Sequence, residues 1–153
     1  MKTTMKLSVI TMLACLTIFS SCSKDDDNIN DVLLTEAEIP TGIKSYIETH
    51  FSSNTIVRAE KDTENNTITY EIYLNENINL EFNSTSEIID IDGVIQLPNS
   101  VIPQSILDYV STNYPNNFIT DWELEFNHQQ VELNNNLELE FEMNGNFIRI
   151  DND

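Results

Sequence analysis

Most of the residues in this sequence that could do chemistry are carboxylates. The 153-residue chain has 26 aspartates and glutamates, 7 lysines and arginines, and 2 histidines. A carboxylate pair can hydrolyse a glycoside when one member has a raised pKa in a partly apolar pocket. Here Glu138, Glu140 and Glu142 alternate with apolar residues, which predicts a solvated row on one face of a strand. We therefore predict no enzyme, with a cryptic hydrolase as a remote alternative.

The histidines and the remaining motifs do not indicate catalysis either. His50 ends a predicted helix, where a positive charge is mildly favourable, and His128 falls in a predicted hairpin tip. The sequence has no HExxH, no GxSxG and no glycine-rich phosphate loop. We predict no catalytic residue and no cofactor.

Calcium is the metal that best suits this composition, because it prefers carboxylate oxygens. Asp90, Asp92, Asp151 and Asp153 stand at predicted strand ends, but their spacing is not that of an EF-hand loop. Asp92 before Gly93 is more simply explained as a turn. We predict no metal site and keep weak calcium binding as an alternative.

Cys22 follows an apolar run and precedes three aspartates, in the stretch SSCSKDDDN at residues 20–28. A basic N-terminus, the apolar residues 7–19 and two serines before the cysteine have the order of an export signal. The apolar run is too short to span a membrane, which takes about 20 residues. The arrangement resembles the signal peptide of bacterial lipoproteins, which implies removal of residues 1–21 and lipidation of Cys22.

This interpretation of Cys22 has two alternatives. Cys15 would leave a very short apolar run and an exposed apolar tail from Leu16 onward, so Cys22 is favoured. An ordinary secretory signal would leave Cys22 as a free thiol. With Cys15 removed and Cys22 lipidated, no disulfide is predicted, and the lipid is the only predicted membrane contact.

The residues after Cys22 resemble the acidic export motif that sends some Gram-negative lipoproteins to the outer face of the outer membrane. We predict a surface-exposed outer-membrane lipoprotein, with a periplasm-facing anchor as the alternative. Because the stretch is too polar to bury itself, residues 22–34 are also predicted to be a flexible tether. The predicted export motif is Ser23, Lys24, Asp25, Asp26 and Asp27.

The charge of the mature chain restricts its partners. Removal of residues 1–21 leaves 5 basic and 26 acidic residues, a net charge of −21. Such a surface is repelled by nucleic-acid phosphates and by anionic lipids. We predict no nucleic-acid partner; the predicted partner is an unidentified protein or peptide, and a basic one fits the charge.

The segments that would position these residues occur twice. Residues 39–51 align with residues 102–114 at an offset of 63, and residues 75–82 align with residues 134–141 at an offset of 59. The four-residue difference falls in a polar loop, where insertions are tolerated. The sequence therefore predicts an internal duplication.

Each copy predicts a helix followed by strands. Apolar residues recur every three or four positions in the helical segments, and proline precedes each of them. Apolar and polar residues then alternate, as from Trp122 to Phe126 and from Leu137 to Met143. Asparagine-rich tips at residues 75–77 and 134–136 predict hairpin turns. The expected fold is α+β, with two tandem repeats of one helix and about four antiparallel strands, and with the helices packed on one face of the sheet.

The pattern "IP…I..YI…F", followed by "YEI.L" and "EF….IIDID", resembles the PepSY-like repeat of exported bacterial proteins described as β-lactamase-inhibitor-like. The resemblance covers nearly all of residues 38–153. It implies an αβ fold duplicated in tandem, export to the envelope and no catalytic residues. The predicted repeats are residues 35–94 and 95–153.

The two copies differ at several positions of this pattern. Gln129 stands where the first copy has Tyr70, and Ser86 stands where the second copy has Gly145. No binding-site residue is therefore carried over from the family.

Seven acids of the second copy are predicted to point to one side of the sheet. Like charges on neighbouring strands oppose pairing, so stability alone does not select this pattern. It serves either solubility and edge protection, as in a passive envelope component, or docking of a partner to a lipid-anchored binding or inhibitor-like module, which is the leading hypothesis. The predicted partner-binding face consists of Asp121, Glu123, Glu125, Glu132, Glu138, Glu140 and Glu142.

Overall fold

The computed structural model describes residues 31–151. The predicted signal peptide (residues 1–21), lipidated Cys22 and export motif (residues 23–27) lie outside the described residues and stay predictions.

The described residues form two α-helices and nine β-strands, with short 3₁₀ turns at Asn75–Asn77 and Asn99–Val101. In chain order the elements are β1 (Val32–Leu33), α1 (Thr41–His50), β2 (Ile56–Glu64), β3 (Thr67–Leu74), β4 (Ile78–Asn83), β5 (Ile88–Asp92), α2 (Gln104–Asn113), β6 (Ile119–Leu124), β7 (His128–Leu133), β8 (Glu138–Glu142) and β9 (Phe147–Asp151).

All nine strands belong to one antiparallel sheet, in which each strand pairs with the next along the chain. The predicted architecture of two tandem helix-plus-strand repeats is therefore wrong, because pairing continues from β5 to β6 without a break. The expected α+β class is met only in part, since the described residues form nine strands and only two α-helices. Alternation along a strand indicates which face is buried, but it carries no information about which strand edges join.

The two helices form in equivalent ways. Each begins directly after a proline, Pro40 for α1 and Pro103 for α2, whose carbonyl accepts a hydrogen bond from the amide four residues later. Each helix buries two aliphatic side chains, Ile43 and Ile47 in α1 and their equivalents Ile106 and Val110 in α2.

The hydrophobic core lies between the helices and one face of the sheet. One row of buried side chains crosses neighbouring strands in register, from β2 through β8, and makes the core continuous. That row is Ala59, Ile72, Leu80, Ile91, Trp122, Val131 and Leu139.

The hairpin tips confirm the predicted role of asparagine. Asn77 and Asn136 have positive φ angles of 58° and 61°, and Asn65 and Asn66 in the β2–β3 turn also have positive φ. Asparagine adopts this conformation more readily than most residues. No helix within residues 31–151 is long and apolar enough to cross a membrane.

Candidate binding face

The sheet face opposite the helices carries a row of carboxylates, one from each of five neighbouring strands. The row runs one residue out of phase with the core row, so its side chains project to the other side of the sheet. This row and the parallel row that contains Asp92, Asp121, Glu132, Glu138 and Asp151 together form what we call the acidic face. The first row is Glu60, Glu71, Glu81, Asp90 and Glu123, followed by Gln130, Glu140 and Arg149.

A second row runs parallel to the first, two residues away along the strands. It begins at Arg58 and Tyr73 on β2 and β3 and becomes acidic from β5 to β9. Its carboxylates are Asp92, Asp121, Glu132, Glu138 and Asp151, each opposite the next across a strand pair.

Where β5 pairs with β6, both rows place an acid on each of the two strands. Asp90 lies opposite Glu123, and Asp92 lies opposite Asp121. Burial raises the pKa of Asp90 to about 7, with further contributions from the carboxylates of Glu123 and Glu81. Burial also raises the pKa of Asp121 to about 7, assisted by Asp90 and Asp92. The centre of the face can therefore hold protons near neutral pH.

Arginines neutralise part of the charge near the two ends of the face. Arg58 lies 2.5 Å from Glu60, and its guanidinium stands 5.0 Å from the centre of the Tyr73 ring. Arg149 donates two hydrogen bonds to Glu140, of 2.8 and 2.6 Å, and they lower the pKa of that carboxyl. Of the ion pairs with both partners inside residues 31–151, all involve one of these two arginines.

The structure brings five of the seven predicted partner-binding residues onto the two rows: Asp121, Glu123, Glu132, Glu138 and Glu140. Glu125 lies just beyond β6 in the β6–β7 turn, and Glu142 ends β8 opposite His128. Their role in binding stays a prediction.

Sequence reasoning missed the N-terminal part of the face, which is Glu60, Glu71, Glu81 and Asp90. Glu71 and Glu81 do alternate with buried residues, Ile72 and Leu80 among them, so an acidic side was visible in the sequence. The strand register that aligns these acids with Glu123 was not visible in the sequence.

The aspartates at the predicted strand ends do not form a calcium-binding group within the described residues. Asp90 and Asp92 lie on β5, Asp151 lies three intervening strands away on β9, and Asp153 is outside the described residues. Within the described part of the chain, no group of three or more histidine, cysteine or acidic side chains could hold a metal ion.

Both histidines make local contacts. The Nδ1 atom of His50 lies 3.0 Å from the Ser100 hydroxyl, and Nδ1 of His128 lies 3.1 Å from the side-chain oxygen of Asn127.

Known proteins with this pattern define the family. The family described as "Putative beta-lactamase-inhibitor-like, PepSY-like" matches residues 28–90 and again residues 68–149. The chain belongs to the PepSY-like family. No curated protein matches this PepSY-like chain.

Solved structures of similar proteins share the fold. A "putative calcium-regulated periplasmic protein" from Bacteroides thetaiotaomicron is 28% identical, with a TM-score of 0.76 over 80% of this chain and 97% of that one. A "putative periplasmic protein" from Bacteroides vulgatus is 28% identical, with a TM-score of 0.75 over 84% of this PepSY-like chain and 99% of its own.

Proposed function

We propose that this PepSY-like protein is a non-enzymatic binding module of the cell envelope that docks a basic segment of a protein or peptide on its acidic face. The observation that carries the proposal is the unbroken row of carboxylates on five neighbouring strands, from Glu60 to Glu123. Neighbouring strands lie about 4.8 Å apart, so the row spans roughly 19 Å, the length of about six extended residues.

The energetics favour a cationic ligand. Like charges placed directly opposite each other destabilise a sheet, and four consecutive strand pairs oppose acids in this row. Burial raises the pKa values of Asp90 and Asp121, and the repulsion of neighbouring carboxylates raises them further. Lysine or arginine side chains would relieve this repulsion, and binding should release protons near neutral pH.

The location is inferred from two lines of support. The solved relatives are described as periplasmic proteins, which favours the envelope. The signal-like residues 1–21 and the motif after Cys22 favour a lipid anchor and display on the outer membrane surface. The family description as inhibitor-like favours binding without catalysis.

The docking role is tested with a Lys-Ser repeat peptide, whose binding is measured by fluorescence anisotropy over a series of NaCl concentrations. The triple variant Glu81→Gln, Asp90→Asn and Glu123→Gln should bind roughly tenfold more weakly, a loss of about 1.4 kcal/mol. The matched control is Glu36→Gln, Glu48→Gln and Asp108→Asn, which removes the same number of carboxyl groups from exposed positions outside the two rows. Equal loss of affinity in both variants would show that binding responds only to the net charge of the protein. If the unaltered protein does not bind the peptide, the docking role is rejected and the protein is a passive envelope component.

The anchor is tested in cells. Cys22→Ala should release the protein from membranes, whereas Cys15→Ala should not. Changing Asp25, Asp26 and Asp27 to alanine should keep the lipid but protect the protein from protease added to whole cells. Unchanged digestion would reduce the aspartates to a linker.

Weak calcium binding is the second candidate function. It is favoured by the relative described as calcium-regulated. Because the described residues form no group of three or more side chains that could hold a metal ion, any calcium would be bound weakly, by facing pairs such as Asp90–Glu123 and Asp92–Asp121. CaCl2 should then raise the melting temperature above that in choline chloride of equal ionic strength. The double variant Asp90→Asn and Asp121→Asn should lose this difference, and an equal response of both proteins would reject the site.

A further inference from the structure

Two exposed apolar side chains stand on neighbouring turns at one end of the sheet. Phe126, in the β6–β7 turn, is 101% exposed, and Met143, in the β8–β9 turn, is 56% exposed. The two turns are neighbours because β7 lies between β6 and β8, with His128 paired to Glu142. The alternation that predicted Phe126 on the buried side of a strand fails, since β6 ends at Leu124.

A buried side chain braces this end of the sheet. Gln129 is only 4% exposed, and its carbonyl oxygen accepts a 3.0 Å hydrogen bond from the Trp122 indole. Its amide nitrogen lies within hydrogen-bond distance of the carbonyls of Glu142 (3.4 Å) and Met143 (3.2 Å). The side chain thus connects the β8–β9 turn to β6 and β7, so the backbone at Met143 is held before any partner arrives, which lowers the entropic cost of binding there.

The other half of the sheet shows that the fold does not require apolar residues here. The corresponding turns carry Asn65 and Asn66 between β2 and β3, and Ser84, Thr85 and Ser86 between β4 and β5. A polar turn therefore closes the same type of hairpin. Two neighbouring exposed apolar side chains that the fold does not require suit contact with a partner, because large apolar and aromatic side chains supply much of the energy of interfaces.

The charges around the two turns specify the partner. Glu123 and Glu125 precede Phe126 in the sequence, and Glu142 precedes Met143. Together they continue the acidic face to this end of the sheet, and Glu125 and Glu123 are close enough to interact electrostatically. A partner that covers the apolar tip must therefore bring cationic groups around an apolar surface.

We propose that Phe126 and Met143 form an apolar anchor that contacts large aliphatic side chains within the basic segment bound on the acidic face. The inference rests on the proposed function and adds to it a preference for basic sequences with aliphatic residues. Electrostatic attraction orients the ligand on the acidic face. Contact with the anchor then favours those basic ligands that carry aliphatic side chains.

The test compares two peptides of equal length and charge: the Lys-Ser repeat, and the same peptide with its two central serines replaced by leucine. The unaltered protein should bind the leucine peptide at least about fivefold more tightly. Phe126→Asn, which introduces the residue type of the β2–β3 turn, should abolish this difference. It should leave the affinity for the Lys-Ser peptide and its salt dependence unchanged.

A matched control is Val94→Asn, at another exposed aliphatic residue, 65% exposed and outside the two turns. It should keep the preference for leucine, and thermal unfolding should show both variants folded. Equal binding of the two peptides by the unaltered protein would overturn the anchor and leave the proposed function standing. Failure of both peptides to bind would overturn the proposed function itself. A dimer that Phe126→Asn converts to a monomer would make a second copy the occupant and also overturn the anchor.

Discussion

In each half of the sheet a helix packs closely against a turn, and the glycine that makes room for this contact stands on the helix in one half and on the turn in the other. In the N-terminal half, Gly42 of α1 meets Ser86 of the β4–β5 turn, and in the C-terminal half, Ser105 of α2 meets Gly145 of the β8–β9 turn. A Cβ atom added to Gly42 would lie 3.0 Å from the Ser86 Cβ, and one added to Gly145 would lie 1.8 Å from the Ser105 hydroxyl. Each contact therefore has room for only one side chain, on either the helix or the turn.

The exchange is not symmetrical in its backbone cost. Both turn residues have positive φ, 66° at Ser86 and +85° at Gly145. Glycine adopts this conformation without strain, whereas for serine it costs on the order of 1 kcal/mol. The N-terminal half therefore carries a strain at its turn that the C-terminal half lacks.

The aromatic packing beneath these contacts is the same in both halves. Tyr46 meets Phe82 edge to face at 5.4 Å between ring centres, and Tyr109 meets Phe141 at 5.3 Å. The halves diverge next to this pair, where Tyr109 also stacks on Phe147 at 4.6 Å and Tyr46 instead contacts the His50 ring at 4.5 Å. The surroundings of the glycine exchange thus share the same tyrosine–phenylalanine packing in both halves, so substitutions in one half can be compared directly with those in the other.

The largest effect is expected for Gly145→Ala. The substitution introduces both the clash with Ser105 and strain at φ +85°, and it should lower the free energy of unfolding by roughly 2–3 kcal/mol. Urea denaturation measures the loss. Adding Ser105→Gly removes the clash but not the strain, so it should restore about half. A double variant no more stable than the single one would show that the clash is not the cause.

A smaller loss is expected for Gly42→Ser, about 1 kcal/mol, because the nearest atom is at 3.0 Å and the helix backbone is unstrained. Adding Ser86→Gly converts this half to the arrangement of the other. The double variant should be at least as stable as the unaltered protein, since glycine also relieves the turn. If it is less stable than Gly42→Ser alone, the two halves do not share one packing rule.

The stability of the protein should depend on pH because of two acids at the β5–β6 pairing, where the two halves join. Unfolded aspartates titrate near 3.9, whereas Asp90 and Asp121 titrate near 7 in the folded protein. The folded state therefore binds more protons than the unfolded state between about pH 4 and pH 7, and stability falls as the pH rises through that window. The loss should total about 1–2 kcal/mol after allowance for solvent screening.

Urea titrations at several pH values measure this slope. Asp90→Asn with Asp121→Asn should flatten it and raise stability at pH 8. Glu140→Gln serves as the opposite control, because the pKa of Glu140 is lowered and its stabilising pair with Arg149 is lost as the pH falls. If the double variant keeps the full slope, the acids at the β5–β6 pairing are not its source.

The sequence contained enough information for the helices, the strand faces and most of the core. The spacing of Ile43 and Ile47 and the alternation around Ile72 report burial directly, because one face of each element must leave water. The single sheet was not predictable in this way, since the β5–β6 pairing depends on backbone edges that any strand offers. The same limitation hid the N-terminal carboxylates of the site, and Phe126 was misplaced because alternation continued past the end of β6.

The smallest effect is expected at Arg58, which covers the N-terminal end of the acidic face. Its side chain is 52% exposed, so the ion pair with Glu60 should contribute less than about 1 kcal/mol to stability. Arg58→Met should therefore barely change unfolding by urea. It also removes a positive charge beside Glu60 and Glu71, which should strengthen binding of the Lys-Ser peptide about twofold if the N-terminal half of the face takes part in docking. Lys44→Met removes the same charge from α1, outside the two rows, and should leave affinity nearly unchanged. Equal affinities for the two variants would confine docking to the C-terminal half, whose acids were visible in the sequence.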